Sequence, residues 1–503
     1  MAGAAINGVF AFLLIIIVTR GLGTDGSGVF FVAVAVVTLL AGVASLGVDT
    51  GLLFWLPSLI IKEEQRSLGR QLVVALVPVL ALGIASGVAM WVAAEPLADW
   101  IGGEGTDTRT AADCLRAMAV IMPFVPLFET LLGATRALDD IKTSVVVDKI
   151  MRPLAQPLLV GAAIVSDLPL PVVCIAWGAF FPVGTVIAAV RTRTLHRAVA
   201  RAGATVAPAP EPYRSLGRNF WRYTGPRSVA RVFQVVIQRV DVILVAGVLS
   251  AAEAGVYASV SRLVATGLFF NVAIQQATQT RLSFQLASHD RDAARRTYQL
   301  STAWLMLVAW PFYLIMLVFA PTVLELLFGA GFEQGATALR ILSATMLVAT
   351  ACGAVEVVLL MSGRSMLSLA NLTVALTLNI GLNVVLIPRM GISGAAVAWL
   401  AAILATNLLP LLQVWLLVEL QPICRAWWLA GSGVAVAILF PCLTAALVLG
   451  QDTAALLLGV AGGVVATGTF GLWKRVELHL PDLYGGFLPS RIRAGRDTPS
   501  VGA

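Results

Sequence analysis

The two halves of the chain echo one another. Gly28-Val29-Phe30 follows the polar stretch Gly23-Thr24-Asp25-Gly26-Ser27, and Gly255-Val256-Tyr257 follows Ser250-Ala251-Ala252-Glu253-Ala254. Further on, Leu115-Arg116 after IGGEGTDT is matched by Leu339-Arg340 after FGAGFEQG, and Ile175-Ala176-Trp177 by Val397-Ala398-Trp399. The matches keep their order at a nearly constant offset of about 222 to 227 residues, which marks an internal duplication. Because each copy is almost wholly apolar, the chain is restricted to a duplicated membrane bundle, an arrangement typical of secondary transporters whose site lies between the copies.

Composition fixes the solvent. With 59% hydrophobic and 12% charged residues in 503, the chain has too little polar surface to cover a soluble globule. A spanning helix needs about 20 apolar residues to cross roughly 30 Å of hydrocarbon. About fourteen stretches qualify, near 3–20, 28–55, 70–94, 114–135, 144–165, 170–190, 229–249, 255–280, 299–320, 338–361, 366–388, 391–418, 427–450 and 453–473. The expected class is therefore an all-α integral membrane protein.

The net charge of +7 resides in alternate loops. Lys62, Arg66 and Arg70 lie in the second, Arg136, Lys142 and Lys149 in the fourth, Arg191 to Arg227 in the sixth and Arg291, Arg295 and Arg296 in the eighth. Lys474, Arg475, Arg491 and Arg493 follow the last span, and the intervening loops are neutral or acidic. This alternation puts both termini in the cytoplasm of a multi-pass plasma-membrane protein, and calls for anionic lipid rather than nucleic acid as partner. The domain plan is an N-lobe at 1–190, a basic linker at 191–228 containing APAPEP, a C-lobe at 229–418, a further helix pair at 427–474 and a tail at 475–503. Six spans before the linker make the repeats parallel, related by an axis along the membrane normal.

Polar residues inside the spans mark the candidate site. Arg231, Gln234, Gln238 and Asp241 follow spacings of 3, 4 and 3 and share one helix face, with Arg239 one position off it. An unpaired arginine at mid-span costs roughly 2.5–3.5 kcal/mol even on insertion scales, so Arg239 has to meet water, an anion or a carboxylate. Arg262, Gln275 and Gln279 extend the polar wall on the next span, and Asp49, Glu129 and Asp241 are candidate ligands for a coupling ion. Arg152 lies near a span end and reads as a snorkelling side chain. Asn371, Asn379 and Asn383 read as interhelical hydrogen-bond partners. Cys114, Cys174, Cys352, Cys424 and Cys442 lack metal-site spacing and read as small core residues, while His196, His289 and His479 are scattered in loops. No metal or organic cofactor is called for. The first apolar segment lacks the basic n-region of a cleavable signal.

Three stretches carry a family resemblance: VTRGLGTDGSGVFFVAVAVVTLLAGVASLGVDTGLL at 18–53, RVDVILVAGVLSAAEAGVYASVSRL at 239–263, and 326–399 from LLFGAGFEQGATALRILSATM through GISGAAVAW. On these the chain resembles the polysaccharide or oligosaccharide (Wzx-type) flippases of the multidrug/oligosaccharidyl-lipid/polysaccharide exporter superfamily. The resemblance implies two six-helix lobes around a central cavity, two extra helices at the C-terminal end, and no enzymatic activity. It further implies a polyprenyl pyrophosphate carrying sugars as substrate, alternating access, coupling to membrane potential, H+ or Na+, and polysaccharide-assembly proteins as partners. Relatives carry a short basic segment before the first span, whereas MAGAAING runs directly into it.

Two other functions compete. A drug/cation antiporter of the same superfamily has about twelve spans and key acids in the first lobe, while a transport-inactive scaffold in cell-wall assembly needs no site at all. A membrane polymerase needs a large extramembrane loop or an acidic cluster, and the sequence offers neither. The topology predicts that cysteines placed at Glu104 and Gln334 react with an impermeant reagent added outside sealed cells, and that one at Arg201 does not; external labelling at 201 overturns it.

Overall fold

The computed structural model describes residues 2–61, 67–102, 107–202, 212–288, 290–362 and 364–478, and every regular element among them is helical. In the first half these are α1 (Ala2–Ala44), α2 (Val48–Ile61), α3 (Leu68–Val92), α4 (Ala94–Gly102), α5 (Thr108–Ala119), α6 (Phe124–Ala137), α7 (Ile141–Ser144), a π-helical turn Val145–Met151, α8 (Arg152–Val165), α9 (Leu170–Gly178) and α10 (Phe180–Ala202). The second half has α11 (Tyr213–Val248), α12 (Ala251–Thr266), α13 (Leu268–Ala287), α14 (Arg291–Val318), α15 (Ala320–Phe328), α16 (Ala336–Ala351), α17 (Val355–Met361), α18 (Ser365–Met390), α19 (Ile392–Val418), α20 (Arg425–Leu449) and α21 (Thr453–Trp473).

Nine of the described helices are long and apolar enough to span a bilayer, or ten with the bent pair Glu333–Ala351 and Val355–Met361. The first, Ile6–Ile61, has 56 residues, about 84 Å at 1.5 Å per residue, and so contains two of the predicted spans. It breaks at Gly23 (φ 67°), in the predicted polar turn, and again at Leu46 and Gly47, both with positive φ. The bent pair is the predicted 338–361 span, and three further predicted spans fall outside the ten for identifiable reasons. The 144–165 stretch is divided by the π-helical turn, 229–249 carries Arg231, Arg239 and Asp241, and 255–280 is split at Gly267. The ends of the predicted linker are helical continuations of α10 and α11, while most of APAPEP, Glu104 and the tail beyond 478 lie outside the described residues.

Contacts group the residues into two compact units. The first comprises 1–266, 324–338 and 372–402, and so takes residues from both halves of the sequence. Its packing follows helical spacing: Val48, Leu52, Leu56 and Leu59 form one buried face of α2, packed with Leu68, Ala75 and Val79 of α3, Ala134 of α6 and Phe220 of α11. At the end of α6, Asp140 caps α7 through the Thr143 amide and accepts a hydrogen bond from Arg191 of α10. Partial burial pushes the Asp140 carboxyl up, but these bonds outweigh it and hold the group below its ordinary range.

The tightest contact in this unit joins the two repeats. A Cβ on Gly28 would lie 1.8 Å from the carbonyl oxygen of Ala251, and one on Gly255 would lie 2.8 Å from the Cα and N of Gly28. The two glycines matched in sequence thus touch backbone to backbone where α1 crosses α12. Nearby, the Arg20 guanidinium donates to the carbonyls of Leu326 and Leu327 at the end of α15.

The second unit comprises 267–323, 339–371 and 403–503. Its central feature is the break between α16 and α17 at Gly353, whose φ is 67°. A break inside a membrane frees carbonyls that need donors. Tyr298 Oη donates to Cys352 O at 2.6 Å and Trp427 Nε1 to Ala351 O at 2.9 Å, while Trp310 Nε1 donates to the nearby Thr350 hydroxyl at 3.1 Å. Asn371 makes the reciprocal interhelical pair with Gln413 expected of it, at 2.7 and 2.8 Å.

Because the obstacle at Gly28 is backbone, a side chain cannot rotate away to relieve it. Gly28→Ala is expected to cost about 1–3 kcal/mol or more and to lower the thermal midpoint of the purified protein. Gly381→Ala, with nothing within 4 Å of its Cβ position, is the control and should be neutral or slightly stabilising. Equal midpoints for the two variants would overturn the assignment.

Candidate functional site

α11 changes character along its 36 residues. In its first part Leu216, Phe220 and Thr224 are buried at spacings of four, while Arg214, Arg218 and Arg222 are exposed at the same spacing. Further on, Arg231, Gln234 and Gln238 are exposed, Arg239 is half-buried and Asp241 is 4% exposed. The predicted polar stripe therefore divides. Its last member turns into protein and the others remain accessible.

Arg239 and Arg262 come together in a cavity of about 280 Å³. α1 supplies Asn7 and Thr38 to its wall, α8 supplies Arg152 and Gln156, α11 supplies Arg239 and α12 supplies Arg262. Three guanidinium groups from three helices thus share one space, and no carboxylate lines it among the described residues. Arg152 is held by Asp148 at 3.0 Å, and Gln156 donates to Trp177 O at 3.1 Å. Arg239 and Arg262 make no ion pair among the described residues; Arg239 bears electrostatically on Arg262, and Glu129 of α6 on Arg239. Such an arrangement suits a dense anion, which guanidinium binds through paired N–H groups.

Sequence reasoning weighed Arg152 without assigning it to the site, and missed Asn7, Thr38 and Gln156. Proximity to a span end made Arg152 read as snorkelling, but it directly follows the π-helical turn and lines the cavity wall. Lone polar residues such as Asn7 and Thr38 carry no periodic signal. Arg231, Gln234 and Gln238 are not part of this cavity's lining, and the side chains of Gln275 and Gln279 lie outside the described residues.

The acidic candidates occupy two places. Glu129 of α6 is accessible and lies within electrostatic reach of Arg231 and Arg152, and of Asp49. Asp49 is half-buried at the start of α2, against Gly133 of α6. Asp241 belongs to a separate buried cluster. It accepts from Asn383 Nδ2 at 2.8 Å and from Tyr257 Oη at 3.2 Å, with Asn379 beside it. The Oδ1 of Asn383 is buried without a partner among the described residues. Hydrogen bonds to charged groups contribute about 1.5–3 kcal/mol, so Asn383→Leu should destabilise the protein by about that much. Asp241→Asn with Asn383→Leu should lose less than the sum of the single variants, and strict additivity of the midpoints would show that the pair is not coupled.

The MatE family model matches residues 1–158 and 226–385, one stretch in each half of the chain. No curated protein matches the sequence. Among solved structures, the lipid II flippase MurJ in an inward closed conformation is similar at a TM-score of 0.73 and 12% identity, over 95% of this chain and 99% of that one. An inward-facing multidrug resistance MATE family transporter is similar at 0.58 and 16%, over 82% and 96%. A eukaryotic MATE transporter is similar at 0.57 and 17%, over 86% and 96%. The chain belongs to the MatE family and is a multi-span, all-helical membrane protein with the fold of these structures.

Proposed function

We propose that the protein flips a polyprenyl-pyrophosphate-linked oligosaccharide or polysaccharide precursor from the cytoplasmic to the outer leaflet. The observation that carries this reading is the carboxylate-free cavity holding Arg152, Arg239 and Arg262. Its volume suits a diphosphate rather than a whole glycan, and Asn7, Thr38 and Gln156 beside the guanidinium groups are hydrogen-bonding partners for phosphate oxygens or the first sugar. The accessible Arg231, Gln234 and Gln238 on the same helix then serve as a second polar surface for sugars. Similarity to a lipid II flippase agrees with a lipid-linked substrate.

Moving two negative charges outward across about 100 mV, negative inside, releases roughly 4.6 kcal/mol at about 2.3 kcal/mol per charge. The outward stroke then runs with the field, and resetting the carrier needs a return step. The buried Asp241, with the amides of Asn379 and Asn383, offers oxygen ligands suited to a proton or a hard monovalent cation such as Na+. Asp49 and Glu129 are the alternative ion ligands. A drug/cation antiporter is the second reading, favoured by the similarity to multidrug transporters. Three arginines in the cavity argue against a cationic drug by direct repulsion.

Arg239→Ala removes a charge-assisted contact and should weaken substrate binding by about 10- to 100-fold, whereas Arg239→Lys keeps the charge, loses the paired donors and retains part of the activity. Arg262→Ala and Arg152→Ala should follow Arg239→Ala. The measurement is complementation of a strain lacking its native flippase, with membrane levels of each variant determined alongside. Full export by well-expressed Arg239→Ala removes this residue from the site. Export that merely tracks protein abundance makes it a structural residue instead.

A further inference from the structure

A second cavity, of about 370 Å³, lies within the other unit, where the basic segment Arg291, Arg295 and Arg296 begins α14. Arg296 and Gln299 of α14, Cys424 and Arg425 at the start of α20, and Glu477 beyond α21 form its wall. The transport reading makes no use of it.

Its surroundings place it at headgroup depth. Trp428 at the start of α20 and Trp473 at the end of α21 are 62% and 76% exposed, and the Lys474 ammonium sits 4.4 Å over the Trp473 ring. Tryptophan beside lysine and arginine at helix ends marks the boundary between hydrocarbon and headgroups. Exposed Leu472 and Ile423 next to them provide apolar surface for acyl chains.

The wall is built rather than loose. Gln299 Nε2 donates to the carbonyls of Gln421 and Ile423 at 3.3 and 3.4 Å, which fixes the approach to α20. Trp304 Nε1 donates to Leu478 O at 2.9 Å and holds the segment after α21. Glu477 is bound by Lys474 at 2.7 Å and by Arg425 at 3.1 Å. One carboxylate cannot neutralise two cations, and Arg296 has no carboxylate partner among the described residues. The cavity therefore keeps an excess of positive charge. Cys424 makes no side-chain cap on α20, so the first backbone N–H groups of that helix add to the same field.

We propose that this cavity binds the phosphate of an anionic phospholipid from the leaflet on the arginine-rich side, and that the bound lipid ties α20 and α21 to α14. Arg296 of α14 and Arg425 of α20 grip the phosphate, while the acyl chains run down the exposed apolar face beside Trp428 and Trp473. Basic pockets between spanning helices on the cytoplasmic side are a recurrent form of lipid headgroup site.

The test uses the full-length protein in nonionic detergent, with thermal unfolding followed as phosphatidylglycerol, phosphatidylcholine or inorganic phosphate is added. Phosphatidylglycerol is expected to raise the midpoint by several degrees, with little effect from the other two. Arg296→Gln with Arg425→Gln should weaken the phosphatidylglycerol response about tenfold or more. If the double variant is too unstable to purify, Arg296→Gln alone suffices, since Arg296 makes no ion pair among the described residues. Native mass spectrometry should then show fewer retained phosphatidylglycerol adducts than on the unmodified protein. An unchanged response or adduct count in the variants overturns the proposal. So does a phosphatidylcholine shift equal to that of phosphatidylglycerol, and a shift with inorganic phosphate alone reassigns the cavity to a free anion.

Discussion

The first unit is organised around the place where α1 and α12 meet with no side chain between them. Gly28 and Gly255 bring two backbones close enough that a single methyl group on Gly28 would overlap a carbonyl oxygen. Inside a bilayer there is little hydrophobic force between helices, so close approach of small residues, with the dispersion contacts it permits, holds the bundle together. The same crossing explains why the repeat is recognisable at this point. A duplicated chain that packs one copy against the other meets itself at equivalent positions, and both positions must be glycine for the same reason. Around this contact, Arg20 reaches the end of α15, and a Cβ on Gly331 would lie 3.2 Å from the Thr24 methyl.

Charge is distributed by a different economy. Arg239 and Arg262 stand in a common cavity and make no ion pair among the described residues, although the Glu129 carboxylate acts on Arg239 from a distance, which leaves their N–H groups open to water or an incoming anion. Asp241, only two residues from Arg239, takes the opposite course and is enclosed by Tyr257 and Asn383. Neighbours at i and i+2 on a helix point about 200° apart, so one helix turn can present a cation to a cavity and a carboxylate to a packed interface. This separation keeps the two from neutralising each other. It leaves one site suited to an anion and another suited to a small cation on the same helix.

Hydropathy and the internal repeat made the fold class legible, because an apolar run of about 20 residues in a membrane protein has few alternatives to a helix. Legibility failed where spans are broken. Nothing in the local composition announces the π-helical turn before Arg152, and positive φ at Leu46 is not the choice of an isolated leucine; Ser228 of α11 donates to its carbonyl. The site divides in the same way. Arg239 and Arg262 stood out because arginine is costly in an apolar run, whereas Asn7, Thr38 and Gln156 are inexpensive single polar residues whose convergence is a tertiary fact. The stripe from Arg231 to Asp241 is real as a helix face, but a helical face is wide enough to meet both an accessible space and a packed interface.

Each break in a spanning helix releases carbonyls that hydrocarbon cannot satisfy, and side chains from other helices satisfy them. Ser228 serves Leu46, Tyr298 serves Cys352, and Arg20 serves Leu326 and Leu327 at the end of α15. These bonds differ in surroundings: the Tyr298 bond is buried, that of Ser228 is part-buried and that of Arg20 is exposed. Breaking a bond where water can replace the lost partner costs far less than leaving a buried carbonyl bare, a difference of about 1–3 kcal/mol per group. Any rearrangement that preserves buried hydrogen bonds therefore releases the Arg20 contact at least cost and retains the Tyr298 clamp. The interruptions in the helices are thus graded, from a contact that can exchange with water to one that holds its break fixed.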